Sequence, residues 1–369
     1  MRAVISFLKK EPVLIAAFLA MLISCFFVPP DPGYAEYPDF RTLATLYALM
    51  TVVAGLREAG LFSLFSRALS KRAKTVRSLS VLLIAATFFS AMFITNDVAI
   101  LTFIPFTAAV LGRAGRGKAF LIAAVLETVA ANLGSAATPV GNPQNLFVFS
   151  HYEMTLPAFL ETTLPIAGAS LLLLLLAALF LPAEKLAPAE EEETPFRANG
   201  AALYAALLIV CLLSVMRLLP WYWMLGTVIA VLLIVDRKAL LRADFSLLLT
   251  FLAFFVFSGN LSRIDAVDAF LRKALEGRVY LTSLLTSQVI SNVPSALLLA
   301  DFTEDARSLL WGVNVGGLGT PVASLASLIG LRLYARSEGA KMGKFLLVFT
   351  AVNLVFLLLL SGLAALILR

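Results

Sequence analysis

The sequence predicts an all-α polytopic membrane protein made of two inverted repeats, each with a re-entrant hairpin and a broken transmembrane helix, about nine crossings plus two hairpins in all. Three observations predict it. The 369 residues are 60% hydrophobic and only 14% charged, far from the roughly 45–50% and 25% of soluble domains. Stretches near the 20 apolar residues that span a bilayer recur along almost the whole length. A short block of Asn, Gly, Thr and Pro occurs twice in one register.

The same composition excludes other classes. The net charge of +6 comes from Lys and Arg in short loops between apolar segments, the positive-inside pattern of a bilayer protein rather than a nucleic-acid surface. Cys25 and Cys211 lie far apart in apolar stretches and His151 is the lone histidine, so neither a disulfide framework nor a zinc site is expected. No cofactor is expected beyond a coupling ion, Na+ or H+. With no activated nucleophile in view either, the chain is not expected to be an enzyme.

Taken in order, residues 12–28 form the first span, retained rather than cleaved, behind Arg2, Lys9 and Lys10 on the cytoplasmic side of an inner membrane. The acidic loop with Asp31, Glu36 and Asp39 then lies outside, and residues 42–62 return. Basic clusters flank residues 78–111 on both sides: Arg67, Lys71, Arg72, Lys74 and Arg77 before, Arg113, Arg116 and Lys118 after. Both flanks are therefore cytoplasmic. The 34 residues between them are too long for one span and too short for two, with polar Thr95, Asn96 and Asp97 in the middle. A re-entrant hairpin accounts for all of this.

Residues 119–149 read as a helix broken between Asn132 and Asn145. Residues 156–181 return, an acidic run at Glu190–Glu193 follows, and residues 198–218 and 221–235 cross to the basic loop of Arg237, Lys238 and Arg242. Residues 245–261 go out, 280–300 form the second hairpin before an acidic loop at Asp301–Asp305, 309–333 return broken, and 345–368 cross last. The expected division is 1–183 for the first inverted repeat, 184–219 for the acidic linker and connecting helix, and 220–369 for the second repeat. Residues 63–77 and 267–278 mix apolar and basic side chains like interfacial arms, which would brace a homodimer. Arg57 and Glu58, near the inner end of the second span, are read as side chains reaching for the interface.

The repeat carries the argument. Ala131 to Gly141 aligns without gaps on Val313 to Ala323, Thr95 and Asn96 pair with Ser291 and Asn292, and Asp39 and Phe40 pair with Asp244 and Phe245. The span after Asp39 is expected to run inward and its mate outward, which makes the relation an inversion.

Broken helices in lipid expose backbone groups that need a polar cavity or protein around them, and their ends offer donors to anions and carbonyls to cations. The candidate binding residues at those ends are Thr95, Asn96, Asp97, Asn132, Ser135, Thr138, Asn142, Gln144 and Asn145 in the first half. Ser291, Asn292, Asn314, Thr320 and Ser324 are their counterparts in the second, with Ser327 beside them. A sodium ion would sit on the backbone and side chains of Asn96 and Asn292. Asp97 is the leading coupling residue, because a carboxylate near the bilayer centre costs at least about 2.5–3.5 kcal/mol and its repeat mate is Val293. Glu127, inside the next helix, is a second intramembrane acid for proton coupling.

These motifs resemble the ion transporter superfamily, in particular its arsenite permease, citrate permease and divalent-anion/sodium symporter branch. The resemblance rests on Thr95 to Pro105, Asn132 to Asn145, Ser291 to Pro294 and Asn314 to Pro321. It implies a site between two hairpin tips and two broken helices, elevator-like movement and often a dimer. The expected function is secondary transport of a small anion (an inorganic oxyanion or a di- or tricarboxylate) or an arsenite-like solute, coupled to H+ or Na+. The alternative is a sodium/proton antiporter exchanging at Asp97. Divalent-anion symporters have Ser-Asn-Thr in both hairpins, whereas Asp97 and Val293 stand here, a form more similar to arsenite permeases and related antiporters.

Overall fold

Several helices start where the sequence supplies a side-chain cap. Asp39 accepts from the Thr42 amide at the head of one helix, and Asp244 accepts from the Leu247 amide at the head of its counterpart. A capping box between Thr75 and Ser78 opens the first hairpin limb.

A computed structural model describes residues 11–112, 117–186 and 196–368. Arg2, Lys9, Lys10, Arg113, Arg116 and the acidic run Glu190–Glu193 lie outside the described residues. The helices are α1 (Pro12–Phe27), α2 (Phe40–Glu58), α3 (Leu61–Ser70), α4 (Val76–Ile94), α5 (Asn96–Thr107), α6 (Gly117–Ser135), α7 (Pro143–His151), α8 (Leu156–Ala178) and α9 (Ala198–Val215). They continue with α10 (Trp221–Val235), α11 (Phe245–Ser262), α12 (Asp265–Leu275), α13 (Val279–Ile290), α14 (Asn292–Leu299), α15 (Ala306–Gly316), α16 (Leu325–Ala335) and α17 (Met342–Ile367).

A helix or a broken pair of helices stands at each position expected to cross, and a pair of helices at each position expected to form a hairpin. Among the described residues six helices, α4 included, are long and apolar enough to cross a membrane, or seven if α2 and α3, bent by 53° at their junction, count as one span. Helices α1 and α10, at 16 and 15 residues, fall short of the strict length. Large apolar side chains, among them Phe26, Phe180, Trp223, Ile234 and Leu347, stand exposed on the outer surface. A chain facing lipid has that surface.

The run α2–α8 matches the run α11–α17 element for element. The first hairpin limb packs on the first half of the broken helix in both runs, α4 on α6 and α13 on α15. The second hairpin limb packs across onto the other run: α5 on α16, and α14 on α7. Outside this crossed centre, α2 lies against α9 and α10, and α11 against α1.

Glycine sets the closeness of the α4–α6 and α13–α15 contacts. A Cβ on Gly134 would come within 2.2 Å of the Phe88 carbonyl oxygen, and one on Gly316 would meet Ser287 Cβ at 2.9 Å and Leu284 Cα at 3.0 Å. At the far end of α2, Glu58 binds Arg242 at 2.6 Å, and Arg242 also holds Asp236 at 2.9 Å. Glu58 thus has a protein partner and is not a side chain reaching only for the interface.

Candidate functional site

Both hairpins turn at a residue with the same unusual backbone. Thr95 has φ 69°, ψ 148° and Ser291 has φ 77°, ψ 155°. Side-chain-bearing residues in this region cost on the order of 1–3 kcal/mol and persist only where the surroundings hold them. The surroundings here are the loops of the broken helices. The Asn96 amide donates to the Gly141 carbonyl at 3.0 Å, and Ser291 Oγ donates to the carbonyl of the equivalent residue, Ala323, at 3.4 Å.

A second matching bond ties each loop to its hairpin. Thr138 Oγ1 donates to the Met92 carbonyl, and Thr320 Oγ1 donates to the Gln288 carbonyl at 3.2 Å. The two threonines, expected at the binding centre, therefore fasten loop to hairpin. Gln288 does more: its Nε2 donates to the carbonyls of Gly316 at 2.7 Å and Leu318 at 2.9 Å. Sequence reasoning missed it; the signal was a polar amide three residues before a hairpin tip.

The restarting half-helices bring the two runs together. Asn142 caps α7 by accepting from the Asn145 amide at 2.9 Å, with Pro143 following as the first helical residue. Ser324 holds the equivalent cap position of α16, but its hydroxyl is turned away to donate to Asn132 Oδ1 at 2.8 Å. Asn132 Nδ2 donates to Ser327 Oγ at 3.1 Å, and Asn96 Nδ2 reaches Asn132 Oδ1 at 3.5 Å. The mate of Asn132 behaves likewise: Asn314 Nδ2 donates to Asn145 Oδ1 at 2.7 Å, and Asn314 Oδ1 accepts from Asn142 Nδ2 at 3.3 Å. Each asparagine at the end of one half-helix thus bonds to the first turn of the other run's half-helix.

Ser135 joins the two sets, donating to the Asn132 carbonyl at 2.8 Å and accepting from Asn142 Nδ2 at 3.0 Å. Asn145 Nδ2 braces the break by donating to the carbonyls of Ser135, Ala136 and Thr138. Asn292 lies over the second break, its Nδ2 2.8 Å from where a Cβ on Gly317 would be. Gln144 is buried in the first turn of α7 outside these bonds.

Two acids stand within this neutral frame. The Asp97 amide donates to Asn96 Oδ1 at 3.0 Å, while Asp97 Oδ1 is buried with no hydrogen-bond partner among the described residues. Glu127 is fully buried in α6; its Oε1 accepts from Thr107 Oγ1 at 2.5 Å and its Oε2 has no partner among the described residues. Thr107 directly precedes a π-type turn at Ala108–Gly112, a distortion common at functional positions. Among the described residues, the buried polar side chains include no Lys, Arg or His.

Two cavities lie toward opposite ends of α11. One of about 190 Å3 reaches Ser291 and Val293 from a mouth bearing Glu11, Asp244 and Arg332. Burial pushes the Glu11 carboxyl above its usual range, the Asp244 charge adds to that, and Arg332 opposes both. The other, about 480 Å3, is lined by Asp39, Ser150, His151 and Asp301 and contains none of the hairpin-tip residues.

An all-helical bilayer protein whose two hairpin tips meet two interrupted helices has the architecture of a membrane transporter. A sequence profile described as citrate transporter matches residues 3–311, and the chain belongs to this family. It is 33% identical over 313 residues to the inner membrane protein YbiR of Escherichia coli, covering 84% of each chain. It is 31% identical over 327 residues to the uncharacterized transporter MJ0456 of Methanocaldococcus jannaschii, covering 88% of this chain and 89% of that one. A local match, 30% identical over 163 residues, links 43% of this chain to 33% of the silicon efflux transporter LSI3 of Oryza sativa.

Proposed function

We propose that the protein is a secondary carrier for a small, uncharged, hydroxylated solute of the arsenite type, moved against protons that bind at Asp97. One observation carries this reading: the site is built from amide and hydroxyl groups around a carboxyl, with no buried cation among the described residues. A di- or tricarboxylate would bring several negative charges into low dielectric beside Asp97, where each needs a positive partner. A neutral polyhydroxyl acid needs only donors and acceptors, which Asn96, Asn132, Asn142, Asn145, Asn292 and Asn314 supply. The locally matched relative is named a silicon efflux transporter, and dissolved silicon at neutral pH is the uncharged tetrahydroxy acid.

The matched bonds at the breaks support an inverted relation between residues 1–183 and 220–369, joined through 184–219. In this reading the hairpins and broken helices slide as an elevator past a frame of α1, α2 and α9–α11. The N-terminus is cytoplasmic, and α3 and α12 brace a homodimer. The second reading, a sodium/proton antiporter, is favoured by the unpartnered Oδ1 of Asp97. Its sodium would share the oxygens of Asn96 and Asn292.

Liposomes with an internal pH dye test both. Arsenite or silicic acid should move protons in wild type and not in Asp97→Asn, with citrate, succinate, sulfate and phosphate silent. Sodium alone moving protons would establish the antiporter instead. Proton movement driven by citrate would defeat the neutral-solute reading.

A further inference from the structure

The arm α3 and the hairpin limb α4 do not close on each other. Between them runs an apolar groove of about 460 Å3, lined by Phe62, Phe65, Leu69, Leu82, Phe89 and Phe93. Phe65, Phe89 and Phe93 are each about half exposed, at 47%, 50% and 53%. Leu69, in the last turn of α3, brings one end of the groove to within two residues of Lys71 in the connecting loop. The other end lies at Ile94, next to the hairpin tip.

That loop is strongly basic. Residues 61–77 contain Arg67, Lys71, Arg72, Lys74 and Arg77 and no acid. Lys71, Arg72 and Lys74 are exposed, while Arg77 is turned away, its Nε donating to the Leu181 carbonyl at 2.8 Å. Glu184 and Lys185 come up beside the loop through backbone pairing with Val76 and Thr75 and offset one another in charge.

The counterpart arm shows what a balanced version looks like. On and after α12, Asp265, Asp268 and Glu276 match Arg272, Lys273 and Arg278, and Arg272 holds Asp268 at 2.9 Å. The excess positive charge is confined to the arm that borders the groove.

We propose that this groove binds an anionic phospholipid, with an acyl chain between Phe65 and Phe89 and the phosphate on Lys71, Arg72 and Lys74. Charge complementarity selects the occupant: an acyl chain alone fits any lipid, but the loop adds attraction for a negative headgroup on the leaflet that basic loops face. The lipid would then lie along the limb that leads to Thr95 and Asp97.

Native mass spectrometry of the full-length, delipidated protein tests this, with phosphatidylglycerol and phosphatidylcholine of identical acyl chains as probes. Wild type should retain phosphatidylglycerol with about a tenfold preference. Replacing Lys71, Arg72 and Lys74 together by Gln should reduce it to the phosphatidylcholine level. Ser90→Trp, which fills the groove, should release the bound lipid at unchanged helicity, and Ala85→Phe serves if that variant does not fold. Equal retention of the two lipids by wild type, or retention unaffected by groove filling, would overturn the proposal. So would a lipid-free dimer that groove filling dissociates, because the occupant would then be a second copy of the chain.

Discussion

Asn314 Nδ2 lies 2.7 Å from Oδ1 of Asn145, a residue 169 positions earlier in the chain, and the bond is fully buried. Losing one member strands the other in a dry site, at a cost of about 1–3 kcal/mol. Asn314→Ala and Asn145→Ala should each lower the thermal midpoint of the purified protein. The double variant should lose less than the sum, because the two share one interaction. Strict additivity in a thermal-shift cycle would show that the bond contributes nothing.

Asp97 should be dispensable for folding and required for coupling. Among the described residues its Oδ1 has no partner to lose, so Asp97→Asn should melt within about 0.5 kcal/mol of wild type, as substitutions that break no native contact do. The same variant should show no proton movement on solute addition and no response of solute uptake to an imposed pH gradient. Retention of pH-driven uptake would move the coupling elsewhere, with Glu127 the next residue to replace.

Glu127 separates charge from hydrogen bonding. Glu127→Gln keeps an oxygen for Thr107 to donate to and should fold normally. Glu127→Ala removes that acceptor and leaves a cavity, costing roughly 2–5 kcal/mol. Thermal midpoints in this order, with altered proton stoichiometry already in the well-folded Glu127→Gln, would fit a proton-carrying carboxyl. Equal stoichiometry in wild type and Glu127→Gln would leave it a structural role.

Gly134 is where α4 and α6 touch backbone to backbone. Gly134→Ala places a carbon 2.2 Å from the Phe88 oxygen, an overlap that backbone movement must relieve at about 1–3 kcal/mol or more. Gly168 has nothing within 4 Å of a Cβ, so Gly168→Ala should be silent. The comparison is read from expression level and thermal midpoint. Equal behaviour of the two variants would mean that the helices can separate at no cost.

The smaller cavity makes a sided prediction. Val322, 47% exposed on its wall, should react as Val322→Cys with a membrane-impermeant thiol reagent only from the face bearing Arg332. Cys25 and Cys211 would be replaced by alanine beforehand. Labelling from the opposite face alone would reverse the orientation inferred from the basic loops.

Much of this architecture is legible in the sequence. The hairpin at residues 78–111 follows from a length that suits neither one span nor two, and the breaks follow from Asn132 to Asn145 and its echo at Asn314 to Pro321. The pairings were not legible. That Asn132 meets Ser324 and Ser327 depends on how two half-helices separated by 192 and 195 residues cross, and no local pattern encodes that angle. Hydroxyls near a break suit a polar solute, which makes Thr138 and Thr320 candidate ligands; the sequence does not display the Met92 and Gln288 carbonyls to which they also donate. Gln288 reads as one more polar residue in an apolar limb, since the four partners of its side chain, at Leu284, Gly316, Leu318 and Thr320, are backbone groups.

The crossed asparagines also set a timetable for assembly. The ribosome delivers α6 and α7 to the bilayer long before α15 and α16 exist, so Asn132, Asn142 and Asn145 first meet lipid and one another with their later partners unmade. Asn314, Ser324 and Ser327 arrive near the end of synthesis and close both sets of bonds at once. A chain cut short before residue 314 would carry every acid of the site and most of its amides, yet its centre would stay open, a state that quality-control proteases can recognise.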